Sequence, residues 1–191
     1  MAMTLDGTSG ITQMTGSIVM SGSTSGTTTI IPSAVAGTTT VTMPASTGTM
    51  MVSGNMPAFS AYLNTNQTVS TSTWVKITFN AEEFDTNSNF DSTTNYRFTP
   101  TVAGYYQITG CIQGPSSVVG TLIASIYKNG SEFKRGNNIN NNTNQVASVA
   151  SSIIYFNGTT DYVELYTNTG ASPISGGSAY TYFSGSMVRS A

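Results

Sequence analysis

The stretch that decides the fold covers residues 74–110, WVKITFNAEEFDTNSNFDSTTNYRFTPTVAGYYQITG. Its first residues alternate strictly, with Val75, Ile77 and Phe79 on one side and Lys76, Thr78 and Asn80 on the other. A period of two marks a half-buried β-strand, because successive side chains of an extended chain point to opposite faces. A polar bend follows, in which Asp85, Asn87, Asn89 and Asp91 are spaced between Phe84 and Phe90. Asn and Asp bond to nearby backbone and tolerate left-handed angles, so a loop is expected here, with both rings pinning it to a core. Residues 96–99 read as a short strand closed by Pro100. Ala103-Gly104 then turns the chain into a further alternating strand.

Working outward, the same architecture continues to Ala191. Strands are expected at 74–80, 96–99, 105–112, 122–128, 145–156, 162–167 and 180–188, and Ala58 to Leu63 open the domain. Short strands at turn-punctuated intervals argue for an all-β sandwich or barrel, and no segment has helical periodicity. Asn129-Gly130 and Asn157-Gly158 are turn signals, since Asn-Gly supplies the positive φ angles that tight hairpins require. The Asn-rich residues 137–144 read as a long polar loop between strands.

Upstream the character changes. Residues 1–55 are rich in Thr, Ser, Gly, Ala, Val and Met, with Asp6 as their only charge, and the next charged residue is Lys76. A short repeat lies within them: SGTTTIIPSAV at 25–35 is followed by AGTTTVTMPAS at 36–46. Each unit is a Gly turn, a β-branched run and a closing Pro. Ser17 to Met20, between two glycines, looks like another short strand. The regular Ile and Val positions favour β structure that buries its face against identical copies. A Ser/Thr/Gly linker without order in isolation is the competing reading. The expected organisation is an anchoring or shaft segment at 1–55 and a globular domain at 56–191.

Composition excludes several functional classes. Charged residues are 7 % of the 191, against about 25 % in an average globular protein. The net charge of -2, with scattered Lys and Arg, leaves no electrostatic footprint for nucleic acid. No apolar run approaches the roughly 18 residues of a membrane span, and residues 1–10 lack the basic start and apolar stretch of a signal peptide. Histidine is absent, which removes the usual general base, the usual zinc ligand and every Ser-His-Asp arrangement. The single cysteine, Cys111, lies in an alternating strand and reads as a small buried hydrophobe. The bend DTNSNFD at 85–91 has alternating oxygen side chains but neither the Gly nor the closing Glu of a calcium loop. Glu82, Glu83 and Asp85 are read as solvated charge, not as an acid–base pair. Asn-x-Ser/Thr triplets at Asn66, Asn129, Asn141 and Asn157 are expected by chance in such a composition. No enzyme, cofactor or metal is expected.

Tyrosines carry more information. Tyr105, Tyr162, Tyr166, Tyr180 and Tyr182 sit on or beside strands whose alternate residues are plainly core. A subunit interface suits them, since tyrosine combines an apolar body with a polar tip. A carbohydrate surface, with the Asn-rich loop supplying hydrogen bonds, is the alternative.

Taken together, residues 57–188 resemble the C1q-like domain, the jelly roll shared with the tumour necrosis factor superfamily. The matching pieces are Ala58-Phe59-Ser60-Ala61, Ile77-Thr78-Phe79-Asn80, Phe98-Thr99-Pro100 and Ala103-Gly104-Tyr105-Tyr106. Tyr127-Lys128-Asn129-Gly130, then Asp161-Tyr162-Val163 where the family has Gly-Asp-x-Val, and Phe183-Ser184-Gly185 complete them, in the family's order. Thr160 replaces the Gly, and the collagen stalk of animal members is absent. The resemblance implies a ten-stranded jelly roll, a tight homotrimer and a binding module without catalysis; the calcium of some members does not transfer, for want of a matching ligand set. The Thr/Ser/Gly repeat looks like segments of phage tail and other virion fibres. The implied role is a trimeric virion fibre protein of the tail, baseplate or neck. Residues 1–55 would contact other virion proteins, and a knob would meet a host-surface glycan or protein. Expected contact loops are 137–144, with Asn137, Asn138, Asn140, Asn141 and Asn142, and 173–177, with Pro173 and Ser175. A particle-decorating or connector protein without a receptor, and a bacterial C1q-like carbohydrate-binding adhesin, are the competing readings.

Overall fold

Among the described residues, period-two patterning becomes two strands in the unit Met1–Thr47 and eleven in the unit Gly48–Ala191. The computed structural model describes residues 18–31, 45, 50–52, 54, 56–116, 120–141 and 145–191, and no α-helix occurs among them. In the first unit, β1 (Ile18–Ser21) and β2 (Thr27–Ile30) form an antiparallel hairpin that pairs Ile18 with Ile30. Ile18, Val19, Met20 and Ile30 are all exposed on it. Two strands cannot bury a face by themselves. The second repeat unit, apart from Ala45, lies outside the described residues.

The second unit is a sandwich of two antiparallel sheets. One contains β3 (Ala58–Tyr62), β5 (Ala81–Asp85), β8 (Gly104–Gln113), β11 (Ala147–Phe156) and β13 (Tyr182–Ser190), in the order β11-β8-β13-β3-β5. The other contains β6 (Phe90–Asp91), β7 (Arg97–Phe98), β9 (Gly120–Lys128), β10 (Ser131–Asn141) and β12 (Val163–Thr169), in the order β10-β9-β12-β7-β6, with β4 (Trp74–Lys76) paired to β12. The resemblance implied ten strands; here β6 and β7, two residues each, bring the number to eleven among the described residues.

Alternation decides which side chains meet between the sheets. In β8, Tyr106, Ile108 and Ile112 point inward, and in β11 Ala150, Ile154 and Phe156 do the same. Six of the eight phenylalanines are buried. Phe59 stacks on Phe98 at 4.2 Å between ring centroids and meets Phe183 edge-on at 5.3 Å. Tyr106 meets Phe156 edge-on at 5.2 Å and donates its hydroxyl to the Val102 carbonyl at 2.7 Å. A ring can be fully buried with its polar tip satisfied, and such aromatic pairs add to burial alone. Cys111 is buried as expected, and burial pushes its thiol pKa up. Asn129 and Gly130, with φ of 52° and 78°, form the two-residue turn joining β9 to β10.

Three expectations need correction. The segment 74–80 is not one strand: β4 ends at Lys76, and residues 77–80 cross from one sheet to the other before β5. Ile77 and Phe79 stay fully buried because the crossing passes through the core. Second, only Phe90 pins the Asx bend; Phe84 is 51 % exposed, because it lies opposite Ser60 on the outer face of β5. Third, residues 137–141 are not a loop. They complete β10, with Asn138 opposite Ile123 and Asn140 opposite Thr121. Asn137 bridges to β11, accepting the Val149 N–H at 2.7 Å on its side-chain oxygen and the Ser148 hydroxyl at 2.6 Å on its carbonyl. Asn142 lies outside the described residues.

Candidate functional site

Both sheets bury one face in the common core, so the unit has two outward faces pointing away from each other. Their chemistry differs sharply. On the five-stranded sheet, β3, β8 and β11 contain no Asp, Glu, Lys or Arg; its charges are Glu82, Glu83 and Asp85 on the edge strand β5 and Arg189 on β13, opposite Tyr105. Outward positions of β11 are Val149, Ser151, Ile153 and Tyr155. Of these, Ile153 is 58 % exposed. Tyr155 lies opposite Tyr105 of β8, their ring centroids 5.4 Å apart. Val188 is added to the face where β13 bulges, and Phe84 to its far edge. The polar groups in the middle satisfy one another: Ser151 accepts from the Gln107 amide at 2.8 Å and lies 2.9 Å from the Thr109 hydroxyl.

The same face is not flat. Beside β5 a recess of about 240 Å³ opens between Phe84, Ala58, Gln107 and Ser186. It exists because Ser184, Gly185 and Ser186 are small, and Gly185 lets β13 come against Ile108 and Phe59, where a Cβ would clash at 2.5 and 2.9 Å. In the strand order β11-β8-β13-β3-β5 the exposed Ile153 and Tyr155 lie on the edge strand β11, while the recess extends from β5 across β3 and β13 to β8.

The six-stranded sheet carries a charged and aromatic outer surface. Tyr127 and Tyr166 stack with centroids 4.0 Å apart, and Trp74 meets Tyr127 at 6.0 Å. The Arg135 guanidinium lies 5.1 Å above the Trp74 ring and pairs through two N–H groups with Glu132, at 2.8 and 2.7 Å. Those bonds hold the Glu132 carboxyl below its ordinary pKa. Lys76 donates to Glu164 and to the Asn95 carbonyl, both at 2.9 Å. Glu164 is itself buried, a placement that a paired charge tolerates and an unpaired one does not. Arg97 lies 4.1 Å over the Tyr162 ring. Tyr127 and Tyr166 are both harder to ionise than a free phenol, first through burial and then through neighbouring negative charge.

The five candidate interface tyrosines therefore do not share one surface. Tyr105 and Tyr182 lie on the outer face of the five-stranded sheet. Tyr162 and Tyr166 belong to the opposite sheet, and Tyr180 is exposed in the turn before β13. Alternation cannot distinguish the two sheets, so sequence alone grouped them. The strongest outward apolar positions, Ile153, Tyr155, Val149 and Phe84, were missed; the outward phase of 149–155 was the available signal. Loop 173–177 is tied down: Ile174 is buried and exchanges backbone bonds with Gln67, and Ser175 donates its N–H to Gln113 at 2.9 Å.

The Asx bend has no free carboxylate to offer a cation. Asp91 accepts the backbone N–H groups of Thr93, Thr94 and Asn95 at 3.0, 2.9 and 3.0 Å, and the Asn95 amide at 2.7 Å. The backbone bonds from Thr94 and Thr93 above all hold its pKa far below the carboxylate range. Asp85 accepts the Phe90 N–H at 2.7 Å. A polar recess of about 320 Å³ lies beside this bend, between Asn89, Asp91, Arg97 and Thr101. No group of three or more His, Cys, Asp or Glu placed to hold a metal occurs among the described residues.

No family model matches the chain, and no curated protein matches it by sequence. Solved structures do. The globular domain of zebrafish complement 1qA protein is 18 % identical with a TM-score of 0.56, over 71 % of this chain and 98 % of that one. Murine APRIL at pH 5.0 gives a TM-score of 0.53 at 6 % identity, over 70 % of this chain and 99 % of that one. At these identities the likeness is one of fold, and the fold of this chain is the jelly roll of C1q- and TNF-type domains.

Proposed function

We propose that this chain is a non-enzymatic, trimeric virion fibre protein of the tail, baseplate or neck, with β3–β13 as its knob and residues 1–55 as its anchor. The observation that carries the trimer is the outer face of the five-stranded sheet, whose strands β3, β8 and β11 hold no charge and on which Val149, Ile153, Tyr155, Tyr105 and Phe84 are each more than 40 % exposed. Apolar patches of this kind mark contact surfaces, and aromatics are enriched in interface cores. Its exposed apolar strand β11 and the recess that opens toward β5 are different surfaces, which suits a head-to-tail contact closing into a ring better than a two-fold dimer. The C1q- and TNF-type fold supports the same state. The virion role is supported by the Thr/Ser/Gly repeat and by the scarcity of charge.

Light scattering tests the assembly: the trimer has three times the 20.0 kDa mass of the chain. Immunogold labelling of purified particles with an antibody against the knob tests the location. Labelled fibre ends support it, and particles free of label sink the virion reading while leaving the trimer.

A further inference from the structure

We propose that the outward face of the six-stranded sheet is a binding platform for neutral oligosaccharide chains. Three successive rows place its parts. In one row across the sheet, Asn138, Ile123, Asn168 and Trp74 are neighbours on β10, β9, β12 and β4; in the next, Arg135, Ser125, Tyr166 and Lys76 are neighbours. Tyr127 follows in the row after, between Glu132 and Glu164. Three half-exposed rings, Trp74, Tyr127 and Tyr166, thus stand together on a face edged by the asparagines of β10 and β12.

Such a face fits sugars for two reasons. A pyranose has an apolar C–H face that stacks on an aromatic ring, while its rim of hydroxyls needs both donors and acceptors. Asn138, Asn140 and Asn168 supply both in one side chain, and Arg135 has five N–H groups, of which two go to Glu132. Neutrality of the ligand follows from the pairing of charge. Lys76 with Glu164 and Arg135 with Glu132 cancel one another, so an anionic polymer finds no net field. Asn138 and Asn140 were expected contacts on a loop; on a strand beside the rings they are held in place by the sheet.

This inference deepens the knob reading, but one copy suffices for the site. The trimer supplies three equivalent platforms, and avidity would turn weak single contacts into firm attachment.

The chain contains one tryptophan, Trp74, so intrinsic fluorescence reports the site directly. Full-length protein is titrated with maltohexaose, cellohexaose, chitohexaose and mannohexaose, with heparin as the anionic comparison. At least one neutral sugar is expected to give a saturable change. Asn138→Ala, at an exposed position, should weaken it about threefold to tenfold, the worth of one net hydrogen bond. Tyr166→Ala should abolish it. No saturable change with any of the four sugars at about 10 mM, ten times a weak millimolar Kd, overturns the proposal. So does a response to heparin alone, or a response unchanged in both variants. Solution mass on the same samples separates the readings. A sugar response at the mass of one chain sinks the trimer and keeps the site, and the mass of three chains without a response sinks only the site.

Discussion

Replacing Ile153 by alanine tests the assembly face where it protrudes furthest. Ile153 is 58 % exposed in the single chain, so that fraction of its side chain is available to a neighbouring copy. Ile→Ala deletes about three carbon groups, roughly 2.4 kcal/mol of transfer free energy at ~0.8 kcal/mol each, and the exposed fraction is about 1.4 kcal/mol. A three-fold ring contains the contact three times, which gives about 4 kcal/mol, or a factor of about a thousand in the trimer dissociation constant. That constant has units of concentration squared, so the midpoint of dissociation should rise about thirtyfold. The assay is sedimentation equilibrium over a dilution series, with urea unfolding of the dissociated chain as a control. Monomer stability should fall by about 1 kcal/mol, the share of the side chain that is already covered in the single chain. Ile153→Glu should prevent assembly altogether, since it would bury a carboxylate on a face whose β3, β8 and β11 hold no cation. A midpoint for Ile153→Ala within about threefold of wild type would refute the arithmetic. An Ile153→Glu variant that still forms trimers would place the interface elsewhere.

Three further outcomes follow from the interior and the bend. Tyr106→Phe removes a hydroxyl that donates to Val102 at 2.7 Å from a fully buried ring, and should lower unfolding stability in urea by about 1–3 kcal/mol; no loss would mean that the carbonyl finds another donor. Gly158→Ala places a side chain at φ 72° against the Ala103 backbone nitrogen, and should cost more than about 1 kcal/mol in the same assay; an unchanged midpoint would show that the turn relaxes. Asp91 has a depressed folded pKa, so its contribution is complete above the ordinary carboxylate value of 3.8 and is lost as pH falls below it. Stability measured from neutral to strongly acidic pH should therefore fall less steeply in Asp91→Asn than in wild type, and parallel curves would contradict the role given to that carboxylate.

Strands were legible in the sequence wherever one face is core and the other solvent. Residues 105–112 alternate, 145–156 are rich in β-branched and aromatic residues, and β8 and β11 run close to the expected limits. The Asn129-Gly130 turn was legible for a stereochemical reason, as both residues need positive φ. Residues 131–141 were not. SEFKRGNNINN lacks alternation because β10 forms the edge of its sheet, and two register shifts interrupt its pairing with β9. Composition pointed to a loop, and backbone pairing with β9 outweighed it. Residues 74–80 failed in the opposite way. Their alternation is real, but it persists while the chain leaves one sheet for the other, because both sheets face the same core.

The sites were less legible than the fold, and tyrosine shows why. Tyr105 and Tyr166 occupy outward positions with the same local pattern, yet one lies between Tyr155 and Arg189 on the five-stranded sheet and the other on a surface lined with ion pairs. What separates them is the strand order, set by contacts such as Tyr166 opposite Lys76, ninety positions away in the chain, which no short-range period can encode. Charge was the better guide. Lys76, Glu164, Glu132 and Arg135 meet on the six-stranded sheet, while β3, β8 and β11 contain none. The five-stranded sheet carries its charges on the edge strand β5 and at Arg189 near the end of β13, which leaves the outer surface of its other strands free to be covered. That asymmetry, more than any single residue, is the reason to assign assembly to the five-stranded sheet and recognition to its opposite.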